Sequence, residues 1–168
     1  NYACILVDSG GYYGSGPECN TSAIHLVNNG AFFVLNGGTL NINDSSKLIF
    51  DGPQSFLKIN PNSNIILGQN AGIEFKNGAY LSAEGGTFTS ADSLKLWNGI
   101  AFENSGNDTI IGCTFSNAKT IISIKNNAST SSNTNRVIKN NTFNIPSGAG
   151  YHKGIYGENN YRLQIHNN

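Results

Sequence analysis

The chain has 168 residues, a formal net charge of zero, and only 12% charged residues. It therefore lacks the basic excess of a nucleic-acid or anionic-membrane binder and the acidic excess of a cation store. Its 38% hydrophobic residues recur at short, regular intervals, which argues against disorder despite the abundance of Asn, Ser, Thr and Gly. No apolar run approaches the roughly 20 residues that a membrane-spanning helix requires.

Residues 1–28 precede the first regular repeat and are predicted to form a lead-in or cap. Cys4 and Cys19 bracket a Gly/Tyr-rich stretch in this segment. A disulfide between them would close that stretch and would suit an oxidising, extracytoplasmic compartment; the alternative is two unrelated small residues. His25 lies in an apolar strand pattern and is expected to point outward rather than to bind a ligand.

The segment 29–90 repeats itself at a fixed offset. The sequence NGAF at 29–32 returns as NGAY at 77–80, and GGTL at 37–40 returns as GGTF at 85–88. Half of this offset also aligns similar residues, so the repeating unit has about 24 residues, and a period of this size indicates a solenoid.

The half offset places Phe32, Phe56 and Tyr80 at equivalent positions. Within each unit, short apolar pairs alternate with polar residues, as in strands that have one buried face. The turns between them are rich in Gly, Asn, Asp and Ser. These features predict an all-β fold, a right-handed parallel β-helix with three strands and about 24–28 residues per coil.

From Trp97 onward the repeat changes its spacing. Units that begin Ile-x-(Asn/Gly)-(Asn/Cys) start at Ile110, Ile138 and Ile165, so the later coils are longer than the earlier ones. We expect Trp97 to pack at the junction between the two kinds of coil and Cys113 to be a buried, unpaired thiol. The predicted organisation is a cap at 1–28 and a β-helix at 29–168, with regular coils at 29–96 and longer-looped coils at 97–168.

The chain contains no methionine and stops inside a repeat at Asn168. A solenoid that ends without a cap exposes strand edges and an open core. We therefore expect the natural protein to carry flanking domains, or this end to dock on a partner.

Asparagine is expected to act structurally at the corners between strands. Equivalent residues of successive coils lie about 4.8 Å apart, so like residues stack on like. Asparagine tolerates left-handed backbone conformations, and its amide can bond to the coils above and below, which produces an asparagine ladder. The candidate ladder residues are Asn140, Asn141, Asn159, Asn160, Asn167 and Asn168.

The Ile-x-Asn-Asn-x-Phe coils and the segment WNGIAF at 97–102 resemble right-handed parallel β-helix proteins of the pectate-lyase-like superfamily. More narrowly, they resemble large secreted, surface-attached β-helix proteins of Bacteroidota, in which a Gly-Gly-Thr-Leu series precedes a Trp-x-Gly-Ile coil. The resemblance covers about residues 29–168 and implies a secreted or cell-surface location. It selects no activity, because such coils carry lyases, hydrolases, epimerases, phage tailspikes and adhesins.

The ten acidic residues are scattered singly, so no catalytic carboxylate pair is evident. A one-coil separation would superpose Asp51 on Glu74 and Glu84 on Asp108, although chance accounts for such coincidences. No acid-rich motif indicates a calcium-dependent lyase, no spacing indicates a metal site, and no cofactor is predicted. Ice binding would need a flat face of regular Thr-x-Thr rungs, and that pattern is missing from the sequence.

The densest group of basic and aromatic residues lies near the C-terminus, opposite the Ser/Thr/Asn-rich loop at 128–136. It could line a groove for a saccharide or uronate; the alternative is a loop of ordinary solvated residues. The candidate saccharide-binding residues are Tyr151, His152, Lys153, Tyr156, Tyr161 and Arg162.

The leading hypothesis is a non-catalytic, extracellular or cell-surface β-helix module for adhesion, structural display or assembly. Its expected partner is a polysaccharide or another subunit of a surface assembly; nucleic-acid binding and membrane insertion are not expected. One alternative is a polysaccharide lyase or hydrolase that acts on an extracellular polysaccharide, and another is the subunit of a self-stacking filament.

Overall fold

A computed structural model of the chain describes residues 4–7, 12–14, 23–27, 30–34, 37–127, 136–144, 153–160 and 163–168. These residues form β-strands and turns, with no helix among them. Accordingly, no helix in the described ranges is long and apolar enough to cross a membrane. The strands are β1 (Cys4–Val7), β2 (Tyr12–Gly14), β3 (Ala23–Val27), β4 (Ala31–Val34), β5 (Thr39–Ile42), β6 (Lys47–Asp51), β7 (Phe56–Ile59), β8 (Asn64–Leu67), β9 (Gly72–Lys76), β10 (Tyr80–Glu84), β11 (Thr87–Ser90), β12 (Gly99–Glu103), β13 (Thr109–Ile111), β14 (Thr114–Ser116), β15 (Thr120–Asn127), β16 (Arg136–Lys139), β17 (Thr142–Asn144), β18 (Lys153–Asn160) and β19 (Leu163–His166).

The strands form three parallel sheets; each complete coil contributes one strand to each sheet, and β19 adds a last strand to the first of them. Sheet A has the order β1-β4-β7-β10-β13-β16-β19, sheet B the order β17-β14-β11-β8-β5-β2, and sheet C the order β18-β15-β12-β9-β6-β3. The predicted all-β parallel solenoid with three strands per coil is confirmed. The segment predicted as a lead-in supplies the first strand of each sheet, which pairs in parallel with the next coil.

Coil length follows from the register along sheet A. Each side chain on a strand belongs to a column of register partners, one from each coil. The length of a coil is the number of residues between two register partners. Along sheet A this number is smallest from Phe56 to Tyr80 and largest from Thr109 to Val137. Along sheet A the coil lengths therefore stay within the predicted range, and the later coils are longer than those from Ala31 to Tyr80. Along sheet C the step from Ile100 to Ile122 is shorter, and the step from Ile122 to Ile155 longer, than that range. The successive register pairs are Cys4 with Ala31, Ala31 with Phe56, Phe56 with Tyr80, Ser82 with Thr109, Thr109 with Val137 and Arg136 with Leu163.

The coil that follows Phe32 is one residue longer than half the repeat offset, whereas the next coil matches that offset. Phe32 pairs with Leu57, and Leu57 pairs with Leu81. The predicted equivalence of Phe56 and Tyr80 is thus confirmed, but Phe32 does not share their column, because the one extra residue in its coil moves its side chain to the opposite face. Phe32 is fully buried, whereas Phe56 and Tyr80 stack on the outside with ring centroids 5.2 Å apart.

Neither predicted superposition of acids occurs. Asp51 pairs with Lys76 rather than with Glu74, because the coil between them is longer than the separation of the two acids in the sequence. Glu84 pairs with Ile111. The two acids of each of these pairs therefore lie in different columns.

The core consists of stacked apolar columns. Two of them are phenylalanine stacks whose neighbouring ring centroids lie 4.8–5.5 Å apart. This spacing matches the distance between strands, so each coil buries its aromatic ring against the rings above and below it. The stacks are Phe50-Phe75-Phe102 inside sheet C and Phe88-Phe115-Phe143 inside sheet B.

Trp97 is fully buried where the coil spacing changes. Its Nε1 donates a hydrogen bond of 2.7 Å to the carbonyl oxygen of Ser116, and its backbone bridges in parallel to Ala118. The predicted junction role is confirmed. Cys113 is a buried free thiol, also as predicted, and burial raises its pKa to about 11, so the thiol is protonated at neutral pH.

The corners between strands depend on asparagine. Eight described residues other than glycine have positive φ, and seven of them are asparagines. This confirms the expected left-handed corners, which asparagine tolerates better than other residues that carry a side chain. The seven are Asn62, Asn70, Asn77, Asn104, Asn117, Asn140 and Asn167.

Asn141 and Asn168 form hydrogen bonds from coil to coil. Oδ1 of Asn141 accepts the N–H of Cys113 at 2.8 Å, while its Nδ2 donates to the carbonyl of Ile110 and to Oδ1 of Asn168. Nδ2 of Asn168 in turn donates to the carbonyl of Ile138. Of the other candidate ladder residues, Asn140 and Asn167 supply left-handed backbone. The side chains of Asn159 and Asn160 lie outside the described part of the structure.

Asn141→Ala is expected to lower the free energy of unfolding by about 2–4 kcal/mol, because the Cys113 N–H and the Ile110 carbonyl would be left without partners. Equilibrium urea denaturation measures this loss. Asn144→Ala, which removes an exposed amide on the following strand, is the control and should change stability by no more than about 0.5 kcal/mol. Equal losses in the two variants would contradict the role of Asn141.

The outer surface of sheet B carries two parallel columns of mostly hydroxyl and amide side chains, which we call the threonine face. A rung is the pair of outward residues on one strand, and of these rungs only 87–89 is Thr-x-Thr, so the expectation that regular Thr-x-Thr rungs are missing is confirmed. The number of residues between neighbouring rungs varies along the chain, so no single repeat period reveals these columns in the sequence. One column is Thr39, Asn64, Thr87, Thr114 and Thr142, and the other is Asn41, Ile66, Thr89, Ser116 and Asn144.

Candidate binding site on the outer face of sheet C

The outer face of sheet C presents two columns of a different character. The first contains mainly small or polar residues: Ile49, Glu74, Ala101, Ser123 and Tyr156. The second alternates in charge at every step: Asp51, Lys76, Glu103, Lys125 and Glu158. On each strand the residue between these two columns points inward and forms part of the core, because successive side chains of a strand point to opposite faces.

A groove of about 360 Å³ lies between these columns. Ala101 and Ser123 follow Glu74 in the first column, and their short side chains leave a depression where larger residues would fill the surface. The charged residues that line the groove are Lys47, Glu74, Lys76, Glu103 and Lys125. A groove with small residues at its floor and charged donors and acceptors at its walls can hold a polar ligand.

Glu74 forms ion pairs with two lysines at one end of the groove. Its two carboxylate oxygens contact Lys47 Nζ at 2.6 Å and Lys76 Nζ at 2.7 Å. Partial burial raises its pKa, but hydrogen bonds and charges from the two lysines outweigh burial, and the net pKa lies below the ordinary value. The hydrogen bond with Glu74 raises the pKa of Lys76. At neutral pH both groups are therefore charged.

Tyr156 lies on the coil beyond the groove, as the register partner of the groove residue Ser123. Lys153 Nζ is 4.3 Å and Lys125 Nζ 5.9 Å from the centroid of its ring, both within the range of a cation–π contact. Its hydroxyl donates a hydrogen bond of 3.1 Å to Glu158, which raises the pKa of Tyr156. The phenol thus stays protonated at neutral pH.

Two of the six sequence-predicted saccharide-binding residues, Lys153 and Tyr156, lie on the same strand of sheet C next to the groove, but neither lines it. The other four, Tyr151, His152, Tyr161 and Arg162, lie outside the described residues. The predicted disulfide also lies outside them, because Cys19 and the side chain of Cys4 are not among the described parts. The side chain of His25 is likewise not described.

The charged residues of the groove were not predicted as a site, although the sequence contains one signal that indicates them. Asp51, Lys76 and Glu103 each follow one of the phenylalanines of the core stack inside sheet C. Because neighbouring residues on a strand point to opposite faces, the residues after a repeating phenylalanine form an outer column. An alignment of the coils on these phenylalanines therefore shows the alternating charges at the next position.

A second ionic cluster lies in the interior. Asp108 accepts hydrogen bonds from Arg136 Nε at 2.6 Å, from the Ser105 hydroxyl at 2.9 Å and from the Leu81 N–H at 2.9 Å. Arg136 also donates to Ser105 and lies 5.5 Å from the centroid of the Phe102 ring. Burial raises the pKa of Asp108 to about 6, although Arg136 and the hydrogen bonds act in the opposite direction. This cluster is closed to ligands, since Asp108 and Arg136 are both buried.

The described residues contain no cluster of three or more His, Cys, Asp or Glu side chains that could hold a metal ion. The fold and the groove define a parallel β-solenoid with a polar, charged groove on one of its three faces. Comparison of the chain with protein-family models, with curated proteins and with solved structures found no match.

Proposed function

We propose that this chain is a non-catalytic, extracellular β-helix module that binds a polysaccharide along the outer face of sheet C. The groove of about 360 Å³ along the charged column, with Tyr156 on the coil next to it, carries this proposal. It runs along consecutive coils, so its direction suits an extended chain of sugar rings. Binding there would serve adhesion, structural display or assembly at a cell surface.

The chemistry of the groove suits a polar polymer. Lysine ammonium groups donate, and glutamate carboxylates accept, hydrogen bonds with sugar hydroxyls or carboxylates. A cationic and aromatic cluster next to the groove consists of Lys125, Lys153 and Tyr156. The resemblance of the coils to secreted surface β-helix proteins of Bacteroidota and to the pectate-lyase-like superfamily supports an extracellular location for such a ligand.

The protonation states favour binding over catalysis. A general acid or base is most effective when its pKa lies near the working pH. In Glu74 the pKa is lowered and in Lys76 it is raised, so both are moved away from neutrality. Ion pairs also engage both oxygens of the Glu74 carboxylate, which holds it as an acceptor rather than as a proton donor.

The alternative of a lyase or hydrolase is supported by the two carboxylates, Glu74 and Glu103, that line the same groove. Release of reducing ends, or new ultraviolet absorbance from an unsaturated uronate, would establish it in place of the binding module. The filament alternative stays a prediction, and negative-stain electron microscopy at increasing protein concentration tests it.

The binding proposal is tested by affinity electrophoresis against a broad panel of neutral and acidic polysaccharides. Lys76→Gln with Lys125→Gln removes two positive charges from the groove and should weaken binding to the best ligand by about tenfold or more. Lys58→Gln with Lys139→Gln removes the same charge from the outer face of sheet A and should leave binding unchanged. Absence of binding to the whole panel, or equal effects of the two double variants, would refute the proposed site.

A further inference from the structure

A depression of about 500 Å³ lies at the end of the first regular strands of sheet B, next to the corner that leads to sheet C. Two of its lining residues, Gly68 and Ala91, directly follow the register partners Leu67 and Ser90. Because they carry no side chain or a single methyl group, they leave open space between neighbouring coils. The volume falls within the range of small-molecule sites, roughly 300–1,000 Å³. The other lining residues are Asn41, Ile42, Asn43, Asp44 and Ile66.

Asp44 is the one ionisable residue that lines this depression. It is exposed, and none of the salt bridges between described residues includes it. The groove on sheet C differs in this respect, because three lysines and two glutamates line it and its Glu74 is already paired with two lysines. The depression therefore carries a negative charge without a partner of opposite sign, and it suits a cationic ligand.

The carboxylate of Asp44 is held in a fixed position. Its Oδ1 accepts the N–H of Gln69 at 2.7 Å, and the N–H of Ser45 donates to the carbonyl oxygen of Gln69, also at 2.7 Å. A Cβ atom at Gly68 would overlap the backbone nitrogen and Oδ1 of Asp44, so the carboxylate lies directly against the backbone of the next coil. Oδ2 forms no hydrogen bond with a described residue. One oxygen thus fixes the group, and the other can accept from a ligand with little loss of side-chain entropy.

Asn41 and Ile66 supply neutral contacts beside this carboxylate. They are register partners that stand next to each other on the outer face of sheet B. The amide of Asn41 makes no hydrogen bond with another described residue, so it can both donate to and accept from ligand hydroxyls. Ile66 is partly exposed and offers an apolar surface on which the C–H groups of a sugar ring can pack. A ligand that satisfies all three residues carries a positive charge, hydroxyl groups and an apolar ring face.

We propose that this depression binds an amino sugar, with its ammonium group at Asp44, its hydroxyls at Asn41 and its ring face on Ile66. A metal ion fits less well, because a single carboxylate supplies few of the oxygen ligands that a cation such as calcium requires. The site lies on a different face from the groove and does not depend on polysaccharide binding there. The same chemistry occurs in a free hexosamine and in a hexosamine unit of a polymer.

The test is an NMR titration of the whole isotopically labelled chain with three probes: free glucosamine, a fully deacetylated glucosamine oligomer and the same oligomer after N-acetylation. The deacetylated probes are expected to shift the backbone amide signals of Gln69 and Ala91, and the tighter of the two identifies the free sugar or the polymer unit as the ligand. N-acetylation removes the positive charge and should weaken binding by about tenfold or more. Asp44→Asn should weaken binding of the deacetylated probes to a similar extent. Its amide oxygen can still accept the Gln69 N–H, and circular dichroism and thermal melting confirm that the variant is folded.

The matched control is Glu84→Gln, which removes one negative charge from an exposed residue on the outer face of sheet A. It should leave binding unchanged, and the groove variant Lys76→Gln with Lys125→Gln should not weaken it, which separates this proposal from polysaccharide binding in the groove. The proposal is overturned if neither deacetylated probe binds, if the N-acetylated oligomer binds as tightly as the deacetylated one, or if Asp44→Asn and Glu84→Gln have equal effects. Signal shifts confined to the residues of the groove would assign the amino sugar to sheet C and would also overturn it.

Discussion

Replacement of Arg136 by methionine is expected to lower the free energy of unfolding by about 3–5 kcal/mol at pH 7. The variant leaves the Asp108 carboxylate in the core with its cationic partner removed, and it also removes the contact of the guanidinium with Phe102. Methionine is chosen because its long, flexible side chain fills much of the vacated volume. Equilibrium urea denaturation measures the loss.

The double variant Asp108→Asn with Arg136→Met is the decisive control. It removes both charges, while the amide introduced in place of the carboxylate can still accept the Leu81 N–H and donate to the Ser105 hydroxyl. Buried ion pairs often add little net stability over neutral replacements, whereas an unpaired buried charge is costly. The double variant should therefore recover most of the stability that Arg136→Met loses. A double variant as unstable as the single one would show that packing of Arg136, rather than its charge, accounts for the loss.

The same pair predicts a pH dependence. Burial raises the pKa of Asp108 to about 6 in the folded chain, while an unfolded aspartate titrates near 3.9. Between these values the folded state binds more protons, so the contribution of Asp108 to stability rises as the pH falls from about 7 to about 4. Removal of Arg136 takes away a charge that lowers this pKa, so the rise should be larger in Arg136→Met. The double variant has no titrating group at position 108, and a stability difference between the two variants that is constant from about pH 4 to 7 would contradict the assignment.

The fold could be predicted from the sequence because each strand carries its own signal. Apolar residues at every second position, bounded by Asn and Gly turns, specify short strands with one buried face, and stacking of like residues specifies the solenoid. The register could not be predicted from one fixed period. The coil from Ala31 to Phe56 is longer by a single residue than the coil from Phe56 to Tyr80, and that residue is sufficient to exchange the inner and outer faces.

The binding face was harder to predict because it is assembled from single residues of separate coils. In sheet C the number of residues from Ile122 to its register partner Ile155 is about one and a half times the number from Ile100 to Ile122. No fixed spacing in the sequence brings Glu74, Ser123 and Tyr156 into one column. The cluster near Tyr156 was recognised because its residues are also close in sequence. The threonine face was overlooked for the same reason that the lysines of the groove were.

Replacement of Gly99 by alanine is expected to cost more than about 4 kcal/mol, or to prevent folding. Gly99 begins β12 with φ of +105°, and a Cβ atom there would lie 1.6 Å from the carbonyl oxygen of Thr120. The neighbouring atom belongs to the backbone of β15, so a side-chain rotation cannot relieve the overlap. The strands would have to separate next to the pair of Ala101 and Ser123, which forms the floor of the groove. Thermal melting and polysaccharide binding measure the two consequences.

Gly112→Ala separates the effect of overlap from that of backbone conformation. Gly112 also has a positive φ, of +63°, but a Cβ atom there would be 4.0 Å from its nearest neighbour, the backbone nitrogen of Gly85. This variant should therefore lose only the left-handed preference of glycine, about 1–2 kcal/mol, and keep its binding. If the two variants lose equal stability, close approach of β12 and β15 is not what requires Gly99. If Gly99→Ala melts early yet binds polysaccharide as tightly as the wild type at low temperature, the groove floor does not depend on this contact, and the ligand is held by the charged walls and by Tyr156.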